Sequence, residues 1–165
     1  MLSKPMLDAI NDQINAELYS AYLYLAMSAH CAVMNLPGFA GWLRIQGQEE
    51  VGHAMRFFEH IVDRGGHPIL LAISGPPTKF KGPLDIFEQT LAHEQKVTQR
   101  IHKLCSIAAQ ENDYASQEML QWFVKEQVEE ERSASEVLET LKMVGEQGAA
   151  LIMLDRQLGA RKTGD

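Results

Sequence analysis

The chain has 165 residues, 45% of them apolar, which is enough for one domain with a sizeable core. Its formal net charge of −7 argues against nucleic-acid phosphate as a direct partner and suits cations better. No apolar run approaches transmembrane length, and Met1-Leu-Ser-Lys-Pro5 lacks the apolar core of a signal peptide, so a cytoplasmic location without membrane contact is expected.

The prolines divide the chain. Ser3 offers a helix N-cap just ahead of Pro5, and a proline-free stretch follows to about residue 34. Asn35-Leu-Pro-Gly38 makes a turn into a second stretch, about 38–65. Pro68, Pro76, Pro77 and Pro83 exclude a helix interior between Gly65 and Leu84. Third and fourth stretches cover about 84–111 and 114–144, with no proline after Pro83. All four stretches are rich in Ala, Leu, Glu, Gln and Met and have helical periodicity. Cys31 and Cys105 fall inside helices without a CxxC neighbour and are expected to be free thiols.

The connections set the topology. The short first and third links make antiparallel neighbours of the helices they join. The second link is long enough to travel the length of a bundle, since 28 helical residues form a rod of roughly 42 Å. The expected fold class is all-α. A single domain over 1–165 holds a four-helix bundle at about 4–144, with one long crossover. A short fifth helix at about 148–160 follows a hinge at Gly145 and Gly148. Its apolar run, Leu151-Ile-Met-Leu154, is expected to leave the bundle and bury itself against other subunits. Folding back on its own bundle is the alternative.

The apolar seams, stepped by threes and fours, are interrupted near mid-helix. The first reads Leu7, Ile10, Ile14, Glu17, Ala21, Tyr24, Ser28, and the second Phe39, Leu43, Gln46, Glu50, His53, Phe57, His60. The third reads Phe87, Leu91, Glu94, Thr98, Ile101, Cys105, and the fourth Leu120, Phe123, Gln127, Glu130, Ala134, Val137, Leu141. Glu17, Glu50, His53, Glu94, Gln127 and Glu130 are thereby expected at one level inside the bundle. Buried carboxylates repel one another and lose their hydration, and no seam lysine or arginine is there to pair them. Two divalent cations would neutralise four carboxylates, with the His and Gln as neutral ligands. Oxygen ligands with one imidazole suit iron or manganese.

With these residues in view the sequence resembles the non-haem bacterial ferritins over nearly its whole length. Asn15-Ala-Glu-Leu-Tyr-Ser-Ala-Tyr-Leu-Tyr-Leu-Ala-Met-Ser28, Gln48-Glu-Glu-Val-Gly-His-Ala-Met55 and Phe123-Val-Lys-Glu-Gln-Val-Glu-Glu-Glu131 are similar to that family's first, second and fourth helices. The resemblance implies a ferroxidase centre. Glu17 and His53 would hold one iron, Glu50 would bridge, and Glu94 and Glu130 would hold the second. Gln127 would lie beside the site, and Tyr24 next to it as an electron donor or as a core aromatic bonded to a carboxylate. A third iron site would use Glu49, Glu126 and Glu129, sharing Glu130. The implied function is oxidation of Fe(II) by dioxygen or hydrogen peroxide. Ferric oxyhydroxide would then be deposited inside a homo-oligomeric shell of 24 subunits, without haem. Gln127-x-x-Glu130 lacks the second ExxH motif of bacterioferritins, and Gly52 stands where their haem-ligating methionine would be. The alternatives are a di-iron oxidase acting on an organic substrate and an iron-detoxifying mini-ferritin-like protein.

Overall fold

The computed structural model describes residues 1–146 and 148–162. Five helices follow in order: α1 (Lys4–Val33), α2 (Pro37–Asp63), α3 (Pro83–Gln110), α4 (Tyr114–Val144) and α5 (Gly148–Leu158). Prolines stand in the first turns of α1, α2 and α3, where their missing N–H costs nothing. Asn35 and Asn112, both in the left-handed region, close the two short turns after α1 and α3. The main packing pairs are α1 with α2 and α3 with α4. The crossover 64–82 is pinned to α1: Asn11 Oδ1 accepts the Ile69 N–H at 2.8 Å, and the Asn15 amide donates to the Ala72 carbonyl at 3.1 Å. Both cysteines are free, Cys31 buried and Cys105 half-buried.

The core comes in two blocks. One contains Tyr24, Met27, Phe39, Leu43, Phe87 and Leu141, and the other Ile10, Ile14, Phe57, Ile101, Leu120 and Phe123. Between them lies a layer of buried polar side chains at mid-helix. Each large apolar side chain contributes roughly 1.5–3 kcal/mol by burial, so the two blocks can offset the polar layer they enclose. The third seam runs in a different phase from the sequence reading. Thr90, Val97 and Leu104 are buried, whereas Leu91, Thr98 and Cys105 are only partly so. Thr90 tolerates burial because its hydroxyl donates to the Ile86 carbonyl one turn earlier, at 2.9 Å.

The C-terminal segment corrects another expectation. The Gly145 and Gly148 hinge is present, with φ of 75° and 76°. However, α5 packs mainly on its own α2 instead of leaving the bundle. Leu151, Leu154 and Leu158 enter the apolar block that contains Phe39 and Trp42, while Ile152 and Met153 stay exposed. A vacant place existed because α2 has no local side-chain cap. Buried Asp155 supplies one, its Oδ1 accepting the Phe39 N–H at 3.0 Å. Glu146 does the same for α3, accepting the Leu84 N–H at 2.9 Å.

A β-carbon on Gly38 would fall 1.6 Å from the Asp155 carbonyl oxygen. Gly38→Ala should therefore push α5 off and lower stability by about 2–4 kcal/mol. The unfolding midpoint and protease sensitivity of the C-terminal segment would report it. An unchanged midpoint would show that α5 is not held by this contact.

Candidate metal centre

Four helices each send carboxylates to the polar layer. Glu17 comes from α1, Glu50 with His53 one turn on from α2, Glu94 from α3, and Glu130 with Gln127 from α4. The i, i+3 spacing keeps each pair on one helix face. All six are buried, Glu94 completely, and so is Tyr24. One ligand atom from each of Glu17, Glu50 and His53 lies within 4.8 Å of the other two, and the same holds for His53, Glu126 and Glu130. His53 Nδ1 stands 3.4 Å from Glu50 Oε2. The imidazole also packs edge-to-face with Trp122 and Phe123.

Hydrogen bonds hold the carboxylates from behind. Tyr24 Oη donates to Glu94 Oε1, and the Gln127 amide donates to Glu94 Oε2 at 3.1 Å. The Gln13 amide donates to Glu17 Oε1 at 2.7 Å, and the Gln46 amide to Glu130 Oε2. Two arginines back those glutamines. Arg100 Nε donates to Gln13 Oε1 at 2.9 Å, and Arg161 Nη1 to Gln46 Oε1 at 2.7 Å. The seams indeed carry no cation at this level, but two guanidinium groups reach it through amides. Gln13 stands four residues before Glu17 and Gln46 four before Glu50, a spacing visible in the sequence. The two arginines gave no such signal.

The inward oxygens are not provided for. Glu17 Oε2 and Glu50 Oε2 are buried, and neither has a hydrogen-bond partner among the described residues. Carboxylate oxygens from two helices gathered beside an imidazole match the ligand chemistry of a divalent cation.

The proposed flank residues are placed unevenly. Glu126 approaches His53 Nε2 at 3.9 Å. Glu49 is instead held by Arg161 Nη2 at 2.7 Å. Glu129 is exposed, and its charge adds to the burial that raises Glu126.

Burial dominates the titration. It raises Glu17, and together with the charges of Glu17 and Glu94 it raises Glu50 well above the usual range. Burial lifts Glu94 to about 7, and burial with the Glu94 charge lifts Glu130 to about 8. Each such carboxyl binds its proton more tightly folded than unfolded. Its stabilising contribution is complete below the unfolded value of about 4.3 and is lost as the pH rises through the folded value. Burial lowers His53 and His93 to about 4, which costs stability as the pH falls from about 6.5. Between pH 6.5 and 8 the remaining histidine titration of the unfolded chain has the smaller effect, and the carboxyls dominate. There the metal-free protein should lose about 1–3 kcal/mol as pH rises. A saturating redox-inert divalent cation should reverse the slope, because protons compete with it for the same oxygens. Unfolding midpoints with chelator and with Mn(II) test this, and a flat profile with chelator would count against it.

Comparison with known proteins agrees with this architecture. The family model for the ferritin-like domain matches residues 7–144. The chain is 40% identical over 161 residues to the bacterial non-heme ferritin of Staphylococcus aureus (strain NCTC 8325 / PS 47), covering 98% of this chain and 97% of that one. The Staphylococcus saprophyticus protein of the same name is also 40% identical, with 98% and 96% covered. Among solved structures, the open pore ferritin of the hyperthermophilic archaeon Archaeoglobus fulgidus superposes with a TM-score of 0.97. It is 47% identical, with 98% of this chain and all of that one covered. A humanized archaeal ferritin superposes at 0.98 with 45% identity and full coverage of both chains. A matched domain over most of the chain, near full-length relatives and the same five-helix arrangement together place this chain in the ferritin family.

Proposed function

We propose that the chain oxidises Fe(II) at the polar layer of its own bundle and passes the ferric product to a mineral stored inside an oligomeric shell. Membership of the ferritin family supports iron storage. The observation that carries the oxidation step is the enclosure of four carboxylates and one imidazole, with the inward Glu17 and Glu50 oxygens orphaned. Glu17 and His53 would take one Fe(II), Glu94 and Glu130 a second, with Glu50 between them. Gln127 holds Glu94 in place. Two Fe(II) ions supply the two electrons that reduce dioxygen to hydrogen peroxide, or hydrogen peroxide to water. Oxidation raises the metal charge from four to six, and hydroxide from water restores balance by releasing protons. Tyr24 would pass an electron to the centre or steady Glu94, and its full burial and hydrogen bond to Glu94 support either role. Glu126 with Glu130 offers a flanking third position, with Glu49 and Glu129 beside it, while His53 serves the first iron.

The shell is proposed to be a homo-oligomer of 24 subunits, the number that the family resemblance implies, and the outer surface supports association with further copies. Ile69, Leu70, Leu71 and Ile73 of the crossover are exposed, as are Tyr22 and Leu25 of α1. Exposed apolar side chains in such numbers suit burial by further copies. No described helix is long and apolar enough to cross a membrane, and cytoplasmic storage is the setting that fits. An oxidase acting on an organic substrate would need a chamber at the metals. The groove of about 760 Å³ between α1 and α3 is bordered by Tyr19, Ser20, His93 and Arg100 and by none of the six central residues.

Fe(II) added in air should give an amber, soluble product of very large mass. Glu50→Ala and Glu94→Ala should each slow the initial oxidation by roughly a hundredfold or more. The metal-free variants should be as stable as the parent or more so, because one of four repelling carboxylates is gone. Loss of helicity along with activity would show that these glutamates are structural.

A further inference from the structure

Beyond the last turn of α5 the chain stays against α2. Gly159 lies against Gly38, so the segment can pass close to the start of that helix. Arg161 then lays its guanidinium over the Trp42 ring, 4.6 Å from the centroid. Its two terminal nitrogens reach different residues. Nη1 donates to Gln46 Oε1 and Nη2 to Glu49 Oε2, each at 2.7 Å. Gln46 and Glu49 are three residues apart on one helix face, so the planar fork spans both at once. The pair is sheltered, with side-chain exposures of 15% for Arg161 and 19% for Glu49. Gln46 in turn donates to Glu130.

Glu49 is thus drawn in two directions. On one side is the fixed cation of Arg161. On the other is the flank where Glu126, Glu130 and His53 converge without it. A metal ion on that flank would gain a further carboxylate only by taking Glu49 from the guanidinium. We propose that Arg161 is a built-in competitor for this flank, a positioning residue that holds Glu49 and Gln46 while the third position is empty and weakens metal binding there. The two central positions, which do not use Glu49, fill first, so the C-terminal segment sets the order of loading. This inference rests on the metal-binding reading given above.

The test is occupancy, not turnover. Crystals of the full chain, grown metal-free, are soaked without oxygen in graded Mn(II), and anomalous scattering is measured at each position. In the parent the third position should half-fill at a clearly higher concentration than the first two. In Arg161→Gln that concentration should drop about tenfold. Arg161→Lys should fall between, because one ammonium cannot span Gln46 and Glu49 together. In a Glu49→Gln background, Arg161→Gln should have no such effect. The proposal is overturned if the first two positions fill while the third responds identically in parent and Arg161→Gln. An equal effect in the Glu49→Gln background overturns it too, by removing Glu49 from the competition. Empty first and second positions in the parent would instead refute the di-iron reading itself.

Discussion

Four glutamates share one buried level of this bundle with no lysine or arginine among the described residues in direct contact, and the surrounding structure answers that repulsion. Burial and mutual charge drive the carboxyls toward their protonated forms. Tyr24, Gln13, Gln46 and Gln127 each present a donor from outside the cluster, leaving the inward oxygens of Glu17 and Glu50 bare. Arg100 and Arg161 contribute charge at one remove, through an amide, so they soften the field without occupying the centre. Apolar blocks above and below keep water out and hold the helices rigid. Divalent cations would relieve a site so arranged, and the proposed oxidation of Fe(II) there draws on that relief.

The C-terminal segment links this centre to the integrity of the fold. Within a few turns it caps α3 through Glu146, caps α2 through Asp155, buries three leucines and delivers Arg161 to Glu49. Gly38 makes the approach feasible by having no side chain where the Asp155 carbonyl sits. Docking of α5 and the electrostatics at Glu49 and Glu130 are therefore coupled through a single piece of chain. Ile152 and Met153 remain on its outer side, where further subunits can cover them.

Much of this was legible in the amino-acid order. Helix boundaries followed proline and asparagine, and the level of the six polar residues followed from counting 1.5 Å per residue along antiparallel rods. The third helix was readable only in part. A seam stepping by threes and fours can begin on either step, and Leu91 looks more apolar than Thr90. Burial chose Thr90 because its hydroxyl is satisfied within its own helix. The docking of α5 was obscured because periodicity reports a buried face but not its partner. Arg161 was beyond reach for a stronger reason: it lies 112 residues from Glu49, and nothing local to either residue records the pairing.

The central claim is that the buried carboxylates exist to hold two metal ions. Anaerobic equilibrium binding of Fe(II), counted per chain after removal of loosely held metal, tests it most directly. The parent should retain two tightly bound ions per chain, and a chain carrying Glu50→Gln with Glu94→Gln should retain neither while keeping its helices. Absence of tight binding in the parent, or two ions retained by the doubly substituted chain, would contradict the account.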